Sequence, residues 1–459
     1  MRAFFHISAG RDKGEARLDK LGPMVYTCAV ELEKRLRDGK ARIGIVGLGY
    51  VGLPLAVEFA RRGYAVAGVE ASPARAASLR RGRSYIGDVP DARIKSMIGS
   101  GRFEVRADGR GLERCEAIVI CVQTPLRKSK APNLGAVVSA CEALAPRLRR
   151  GQLVVLESTT YPGTTDEVVR PLLEKSGLRA GKDFFLAFSP ERVDPGNEKW
   201  TIANTPKVVG GIDPESTRLA CALYKKIVRR VVPVSSAKAA ELVKLLENSY
   251  RAVNIALVNE MAKVCRTLGL DVWEVVGAAA TKPFGFMPFW PGPGIGGHCI
   301  PKDPQLLTWK MKKLHFRPRF IELATRVNGG MPAYAVSRIA GILKEDRRTV
   351  KNSRILVLGI AYKPGVSDYR ESPALDVMHL LAEKGARVEY HDAFVPRAEA
   401  AGRTWRGRAL TDRALKAADV VAILTAHKGV DYARVCRVAR RVFDARNATA
   451  GLAARVERL

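Results

Sequence analysis

Strands that alternate with helices in two separate stretches, divided by one long helical run, predict an α/β protein with two doubly wound domains. Three observations carry this reading. The segment Arg42–Val46 (RIGIV) is a short apolar strand. It runs into Gly47-Leu48-Gly49-Tyr50-Val51-Gly52, then a helical pattern from Leu55 to Arg62, then a second strand at Ala65–Val69, which completes a βαβ unit. From Ala237 to about Gly269 the pattern is that of one helix with no internal proline or glycine. A second strand–turn–helix–strand unit opens at Arg354–Leu358 (RILVL), passes Gly359 and a helix from about Ser372, and reaches a strand at Arg387–Tyr390. Parallel strands need crossover connections, so this alternation gives two Rossmann-like doubly wound domains joined by a long central helix.

The remaining elements follow the same logic. Strand-like runs at Ala117–Val122, Leu153–Glu157, Phe184–Phe188 and Lys207–Val209 extend the first sheet, and Asp419–Leu424 extends the second. Apolar residues recur around most of the circumference of the central helix, which predicts burial on several sides. A Pro/Gly-rich loop spans Pro283 to Pro304, and helical pattern resumes through about Asn328. The expected divisions are an N-terminal extension at 1–40, a dinucleotide-binding domain at 41–235, a central helical domain with a cysteine loop at 236–335 and a C-terminal α/β domain at 336–459. The first twenty residues have only a short apolar stretch before charges begin, which is not the pattern of a secretory signal, and Met24 is an alternative start.

Composition narrows the function classes. The 459 residues carry 77 Lys+Arg against 46 Asp+Glu, a net charge of +31. That invites a nucleic-acid reading, but the basic residues are spread along the chain and no basic stretch is interleaved with aromatics for base stacking. The expectation is no nucleic-acid partner, with the positive potential serving to attract an anionic substrate. No apolar run is long enough for a membrane span. The eight cysteines contain no CxxC pair and are irregularly spaced, which points to thiols in a reducing cytoplasm.

Two motifs carry most of the chemistry. Gly47-x-Gly49-x-x-Gly52 follows a strand and opens a helix, and Glu70 closes the next strand. The glycines let a pyrophosphate approach the backbone, and the helix N-terminus favours its charge. Glu70 can accept from a ribose hydroxyl and repels a 2′-phosphate, which favours NAD over NADP. Gly47, Gly49, Tyr50, Val51, Gly52, Glu70 and Arg75 are therefore the expected cofactor-binding residues, Arg75 by its place five residues after Glu70. The second motif is Gly294-Ile295-Gly296-Gly297-His298-Cys299-Ile300-Pro301-Lys302-Asp303-Pro304. Its glycines are expected to leave room around Cys299. Asp303 before Pro304 reads as an N-cap, whose helix end and neighbouring lysine favour a thiolate. His298 lacks a second ligand at usable spacing, so no metal site is expected.

Three further stretches are candidates. Lys244, Asn248 and Arg251 share one face of the central helix. Leu156-Glu157-Ser158-Thr159-Thr160-Tyr161-Pro162-Gly163 and Ser189-Pro190-Glu191-Arg192-Val193-Asp194-Pro195-Gly196 both follow strands, where a doubly wound sheet presents ligand-binding groups. Glu191 is a plausible acid–base group.

Six stretches in order, GLGYVGLP, LESTTYPGT, SPERVDPG, KLLENSYRAVNIALVNE, GPGIGGHCIPKDP and GIAYKPGVSDYRESP, closely resemble the UDP-glucose/UDP-N-acetylhexosamine 6-dehydrogenase family over about residues 40–459. The resemblance implies an NAD-dependent four-electron oxidation of a sugar C6 hydroxyl, a homodimer formed through the central helix, and a C-terminal domain that helps bind UDP. It implies Cys299 as nucleophile, Lys244 and Asn248 as oxyanion stabilisers, Asp303 as the acid beside the cysteine, Glu191 as a water-activating carboxylate and Thr159 as a contact to water and cofactor. Tyr362 and Lys363 are implied in substrate binding, and Thr124 and Arg370 near the cofactor; Arg251, on the polar face of the central helix, and Gly296 are expected to join the substrate-binding residues. Gln123 stands where the family has proline, in a loop near the nicotinamide. His298 and the stretch Ala280–Pro293 are most similar to members using UDP-N-acetylglucosamine, ahead of UDP-N-acetylmannosamine and UDP-glucose. The rival readings are a single-hydride hydroxyacid dehydrogenase, separated by NADH stoichiometry, and a basic nucleic-acid-binding protein, separated by salt-sensitive binding.

Overall fold

The computed structural model describes residues 23–127, 129–194, 197, 199–452 and 456–459. Residues 1–22 of the expected extension, and Pro195 and Gly196 of the SPERVDPG stretch, lie outside the described residues. The chain divides into two units, one ending at Lys244 and the other beginning at Leu245.

The first unit holds an eight-stranded sheet: β1 (Arg42–Val46), β2 (Ala65–Val69), β3 (Phe103–Arg106), β4 (Ala117–Ile120), β5 (Leu153–Leu156), β6 (Phe185–Phe188), β7 (Lys207–Gly211) and β8 (Val231–Pro233). Its order is β3-β2-β1-β4-β5-β6-β7-β8. The order reverses between β1 and β4, the position where doubly wound sheets open a ligand crevice. Strands β4, β5 and β6 are buried along their whole length, as apolar runs flanked by helices on both faces must be. Along β4 the side chains alternate between two cores: Ala117 and Val119 face one, Ile118 and Ile120 the other. All neighbours run parallel except β6 and β7, which pair antiparallel through Ala187↔Gly211 and Phe188↔Gly210. The uniform parallel sheet expected from the sequence is corrected at this point.

The helix Pro23–Asp38 precedes the first strand and belongs to this core: Ala29, Leu32 and Leu36 are buried, and the Tyr64 hydroxyl donates to the Leu36 carbonyl at 2.5 Å. Burying one such leucine stabilises by roughly 1.5–3 kcal/mol.

The central helix runs Ala237–Leu268, as its uninterrupted pattern predicts. Its burial is less complete than expected. Leu246, Tyr250, Leu257, Val264 and Leu268 form an exposed stripe at helical spacing, because the single chain covers only part of the helix surface.

The second unit has a parallel sheet of order β10-β9-β13-β14-β15 and a separate antiparallel hairpin, β11–β12. The strands are β9 (Arg354–Leu358), β10 (Arg387–His391), β11 (Arg397–Ala400), β12 (Arg403–Arg406), β13 (Val420–Ile423), β14 (Val442–Asp444) and β15 (Val456–Arg458). Gly359 ends β9 at φ +80°, and a Cβ there would lie 2.2 Å from the Thr425 carbonyl oxygen. Only glycine fits that close approach. Ser372 caps the following helix, Pro373–Glu383, by accepting from the Ala374 N–H at 3.4 Å.

One buried carboxyl ties the start of the central helix to the loop after β5. Glu241 accepts from the Thr165 N–H (2.9 Å), the Thr165 hydroxyl (2.7 Å) and the Gly163 N–H (2.5 Å). Burial nevertheless pushes it from its ordinary value of 4.5 up to about 7, since ionising in a low-dielectric interior is costly. The folded state therefore binds a proton that the unfolded chain releases between about pH 4.5 and 7. Stability from this group is greatest below that window and falls through it as pH rises, by on the order of 3 kcal/mol. Glu241→Gln is expected to flatten that fall, measured as the urea midpoint at pH 5 against pH 7. An unchanged difference between the two pH values would assign the titration elsewhere.

Candidate active site

The glycine turn after β1 has the geometry a dinucleotide needs. Gly47 has φ +93°, and a Cβ on Gly52 would meet the Gly47 carbonyl oxygen at 1.9 Å. Gly49 has no atom within 4 Å of the position of a Cβ, so its backbone is open to a ligand. The helix Gly52–Arg61 starts at this turn and aims its first N–H groups there. Glu70 is buried at the end of β2. One oxygen accepts from the Leu48 N–H and the Tyr85 hydroxyl, both at 3.3 Å, and the other from the Ser72 N–H at 3.0 Å. A carboxylate has about four acceptor positions, so capacity remains for a ribose hydroxyl. Arg75 is exposed and lies over the Tyr85 ring at 5.2 Å. Tyr50 is exposed beside the turn and Val51 is half-buried. These residues fit NAD.

The loops after β4 and β5 are laced together on the same side of the sheet. The Thr124 hydroxyl donates to the Thr159 carbonyl at 2.6 Å, and the Ser158 hydroxyl to the Val122 carbonyl at 2.8 Å. Thr124 is thus a buried brace whose hydroxyl is already engaged, while Gln123 next to it is exposed.

Glu191 sits in a buried ionic cluster. Its Oε1 accepts from the N–H groups of Arg192 (2.6 Å) and Val193 (2.7 Å), and its Oε2 lies 3.3 Å from Lys207 Nζ. Lys207 Nζ also lies 3.0 Å from Glu157 Oε2, and the Tyr224 hydroxyl donates to Glu157 Oε1. Burial alone would raise the Glu191 carboxyl. The Lys207 charge, the two backbone N–H groups and the Lys244 charge outweigh it and hold Glu191 below the usual range. Burial dominates at Glu157, with Glu191 adding to it against the pull of Lys207, and its carboxyl is raised. Glu157 lay within a candidate stretch but was given no role there, and Lys207 was read only as the start of a strand; the available signal was an acid directly after four apolar strand residues.

In the second unit Cys299 is exposed. Its carbonyl accepts from the Asp303 N–H at 2.8 Å and the Lys302 N–H at 3.2 Å, which fixes the loop onto the start of the helix Asp303–Lys313. Asp303 is fully buried, and its Oδ2 accepts from Asn248 Nδ2 at 2.6 Å. Lys302 Nζ is 3.4 Å from Asp303 Oδ1. Two expectations are corrected here. Lys302, not Asp303, occupies the N-cap, because the turn begins at Cys299 and Asp303 is already helical. The glycines serve contact rather than clearance: Cβ atoms on Gly296 and Gly297 would lie 2.8–2.9 Å from Tyr362, and one on Gly294 would lie 2.9 Å from Pro373.

His298 is exposed beside the thiol. Partial desolvation, with the charges of Lys302 and Arg370, pushes its imidazole down to about 4. No group of three or more His, Cys, Asp or Glu able to hold a metal occurs among the described residues.

Behind the cysteine loop, an amide chain fixes its N-terminal arm. Asn259 on the central helix accepts from the Gly292 N–H and donates to Asn328, each at 2.9 Å, and Asn328 donates to the Ala252 carbonyl at 2.9 Å. Arg251 is exposed and does not share the burial of Asn248, while Lys244, one turn earlier, is half-buried. Arg370 is exposed and held by Asp368 at 2.6 Å, and its carbonyl accepts from the Gly297 N–H at 3.2 Å. Tyr362 and Lys363 are half-buried in the segment after β9. At the C-terminal ends of β9 and β10, Asp392 accepts from the N–H groups of Ile360 (2.7 Å) and Ala361 (3.0 Å) and pairs with His427 at 3.0 Å. Sequence reasoning missed this pair.

Comparison with known proteins gives the family. Three profiles of the UDP-glucose/GDP-mannose dehydrogenase family match in order: the NAD binding domain at residues 41–228, the central domain at 238–329 and the UDP binding domain at 356–451. The UDP-N-acetyl-D-glucosamine 6-dehydrogenase of Pseudomonas aeruginosa is 38% identical over 356 residues, covering 77% of this chain and 83% of that one. The UDP-N-acetyl-D-mannosamine dehydrogenase of Pyrococcus horikoshii is 34% identical over 413 residues, covering 88% and 95%. A solved structure of the UDP-D-ManNAc dehydrogenase from that organism has a TM-score of 0.82 at 33% identity, covering 90% of this chain and 98% of that one. The chain is an NAD-dependent oxidoreductase that belongs to the UDP-glucose/GDP-mannose dehydrogenase family.

Proposed function

We propose that the chain oxidises the C6 alcohol of UDP-N-acetylglucosamine to the carboxylate, with Cys299 as the covalent nucleophile. The observation that carries this reading is the exposed Cys299 thiol on a loop whose Asp303 is buried and bound to Asn248. Support for the sugar comes from the stretch Ala280–Pro293 and from the 38% identity to a UDP-N-acetyl-D-glucosamine 6-dehydrogenase. The mannosamine epimer is the second reading, favoured by the longer coverage of the relatives that carry that name.

When bound, NAD supplies the hydride acceptor for both oxidations. The chain's residues do the rest. Once the alcohol has become an aldehyde, Cys299 Sγ adds to C6, forming a C–S bond and leaving the negative charge on oxygen. The Lys244 ammonium and the Asn248 amide stabilise that oxyanion. One N–H of the Asn248 amide is held by Asp303, which orients the other. After the second oxidation a thioester remains. A water activated by Glu191, with Thr159 and Asp303 helping to orient it, attacks the carbonyl. The C–S bond breaks and the thiolate returns. Tyr362, Lys363, Gly296 and Arg251 contribute to binding of the UDP-sugar, and Thr124, Thr159 and Arg370 to the nicotinamide side.

The stripe Leu246, Tyr250, Leu257, Val264 and Leu268 on the central helix supports a homodimer through that face. An exposed apolar surface of this kind is covered in a stable assembly. The cysteines outside any disulfide suit a reducing cytoplasm.

Purified protein given UDP-N-acetylglucosamine, UDP-N-acetylmannosamine and UDP-glucose in parallel is expected to release two NADH per sugar with the first. Two with another sugar keeps the mechanism and changes the substrate. Cys299→Ser is expected to stop after one oxidation or at the covalent stage, and complete acid formation by that variant would remove the nucleophile assignment. Lys244→Ala is expected to lower kcat by about 10²–10³; near-normal turnover would take it out of the reaction. Leu257→Asp is expected to halve the mass seen by light scattering, and an unchanged mass would move the dimer contact to another surface.

A further inference from the structure

We propose that Lys207 is a positioning residue for the acid-releasing step: its ammonium, set against the carboxylates of Glu157 and Glu191, aims Glu191 and keeps it negative. This rests on the reading of Glu191 as the water-activating group.

The reversal in the sheet creates the arrangement. Strands β6 and β7 pair Ala187 with Gly211 and Phe188 with Gly210. Continuing that antiparallel register past the end of β6 sets Lys207, the first residue of β7, across from Glu191. Glu157 follows the last residue of β5, next to β6 in the sheet. Lys207 therefore reaches both carboxylates, at 3.0 Å and 3.3 Å. Lys207 is 4% exposed and Glu157 1%, so solvent screens these charges poorly.

The charged and titratable groups facing Glu191 come from every neighbouring element: Lys207 from β7, Glu157 from the end of β5 and Lys244 from the central helix. Cys121, after β4, and Tyr224 complete the cluster around Glu157 and Lys207. Two carboxylates share a single close lysine, so each raises the cost of ionising the other. Burial, together with the neighbouring Glu191, raises the Glu157 carboxyl, which has the Tyr224 hydroxyl as its other partner. Glu191 keeps its charge because two backbone N–H groups and Lys207 all stabilise the ionised form. Its Oε1 is occupied by those N–H groups, and Oε2, which accepts one hydrogen bond from Lys207 Nζ, keeps a second acceptor position for a proton from water. Removing the Lys207 charge leaves two close carboxylates without their common counter-ion, and Glu191 then protonates at higher pH.

The test is the pH profile of kcat, where the acid limb reports the ionisation of a required base in the enzyme–substrate complex. Lys207→Met is expected to move the acid limb upward by roughly one pH unit or more, with KM for the UDP-sugar within about twofold of the parent. Lys207→Arg, which keeps the charge, is expected to restore the limb. Glu157→Gln, which removes the competing negative charge, is expected to move it downward, and this variant decides the matter if Lys207→Met does not fold. Acid limbs that stay in place in the folded Lys207→Met enzyme, or in Glu157→Gln, overturn the proposal. Glu191→Gln is run alongside. A large loss of turnover in Glu191→Gln with unmoved limbs in the other variants rejects Lys207 alone, whereas full turnover in Glu191→Gln rejects the reading of Glu191 and the proposal with it.

Discussion

The hydrogen bond between Asn248 and Asp303 joins the central helix to the segment that carries the exposed Cys299 thiol, and the arrangement of the second unit's candidate site depends on it. Asp303 is fully buried, and a buried carboxyl without a partner would cost more than most single contacts contribute. Asn248 satisfies one oxygen at 2.6 Å and Lys302 approaches the other. With Asp303 fixed, its N–H holds the Cys299 carbonyl, so the thiol projects from a turn anchored at both ends. The Asn259–Asn328 amide chain anchors the loop's other arm at Gly292. Both anchors arise from one helix, whose turns supply Asn248 and Asn259 eleven residues apart.

The first unit solves a different problem, which is to shift two acid groups in opposite directions within a few ångströms. It does so with ordinary sheet geometry. Parallel strands place their C-terminal ends side by side, and the antiparallel β7 brings a lysine from its N-terminal end to the same edge. The lysine and the backbone N–H groups favour the ionised form of Glu191, and burial favours the neutral form of Glu157. Glu241 shows the opposite balance, with three donors that still do not offset the cost of burying its charge.

Local signals were legible wherever function requires a particular backbone. The turn at Gly47, Gly49 and Gly52 could be read because Gly47 and Gly52 answer steric demands that no other residue meets, while Gly49 leaves its backbone open. Most strands of both sheets and the full length of the central helix could be read from periodicity, whereas β3, β8, β14 and β15 were not read, being too short to carry a pattern of their own. The Gly-Gly-His-Cys loop was legible as a candidate site, but the role of its glycines was misread. They admit Tyr362 and Pro373, which lie more than sixty residues further along the chain. Remoteness in sequence also explains why Asp303 read as an N-cap: its proline neighbour is a local cue, whereas its partner Asn248 lies 55 residues away.

The sequence by itself determined the fold class, the cofactor turn, the cysteine and the family, because those features are written in short stretches of residues whose spacing is their meaning. Tertiary structure alone decided which charges meet. Lys207 is an unremarked strand residue until β7 runs antiparallel to β6, and only then does it face Glu191 and Glu157. The reversal depends on how the chain crosses the sheet, and no local pattern of apolar and polar residues records the direction in which a strand will be laid down.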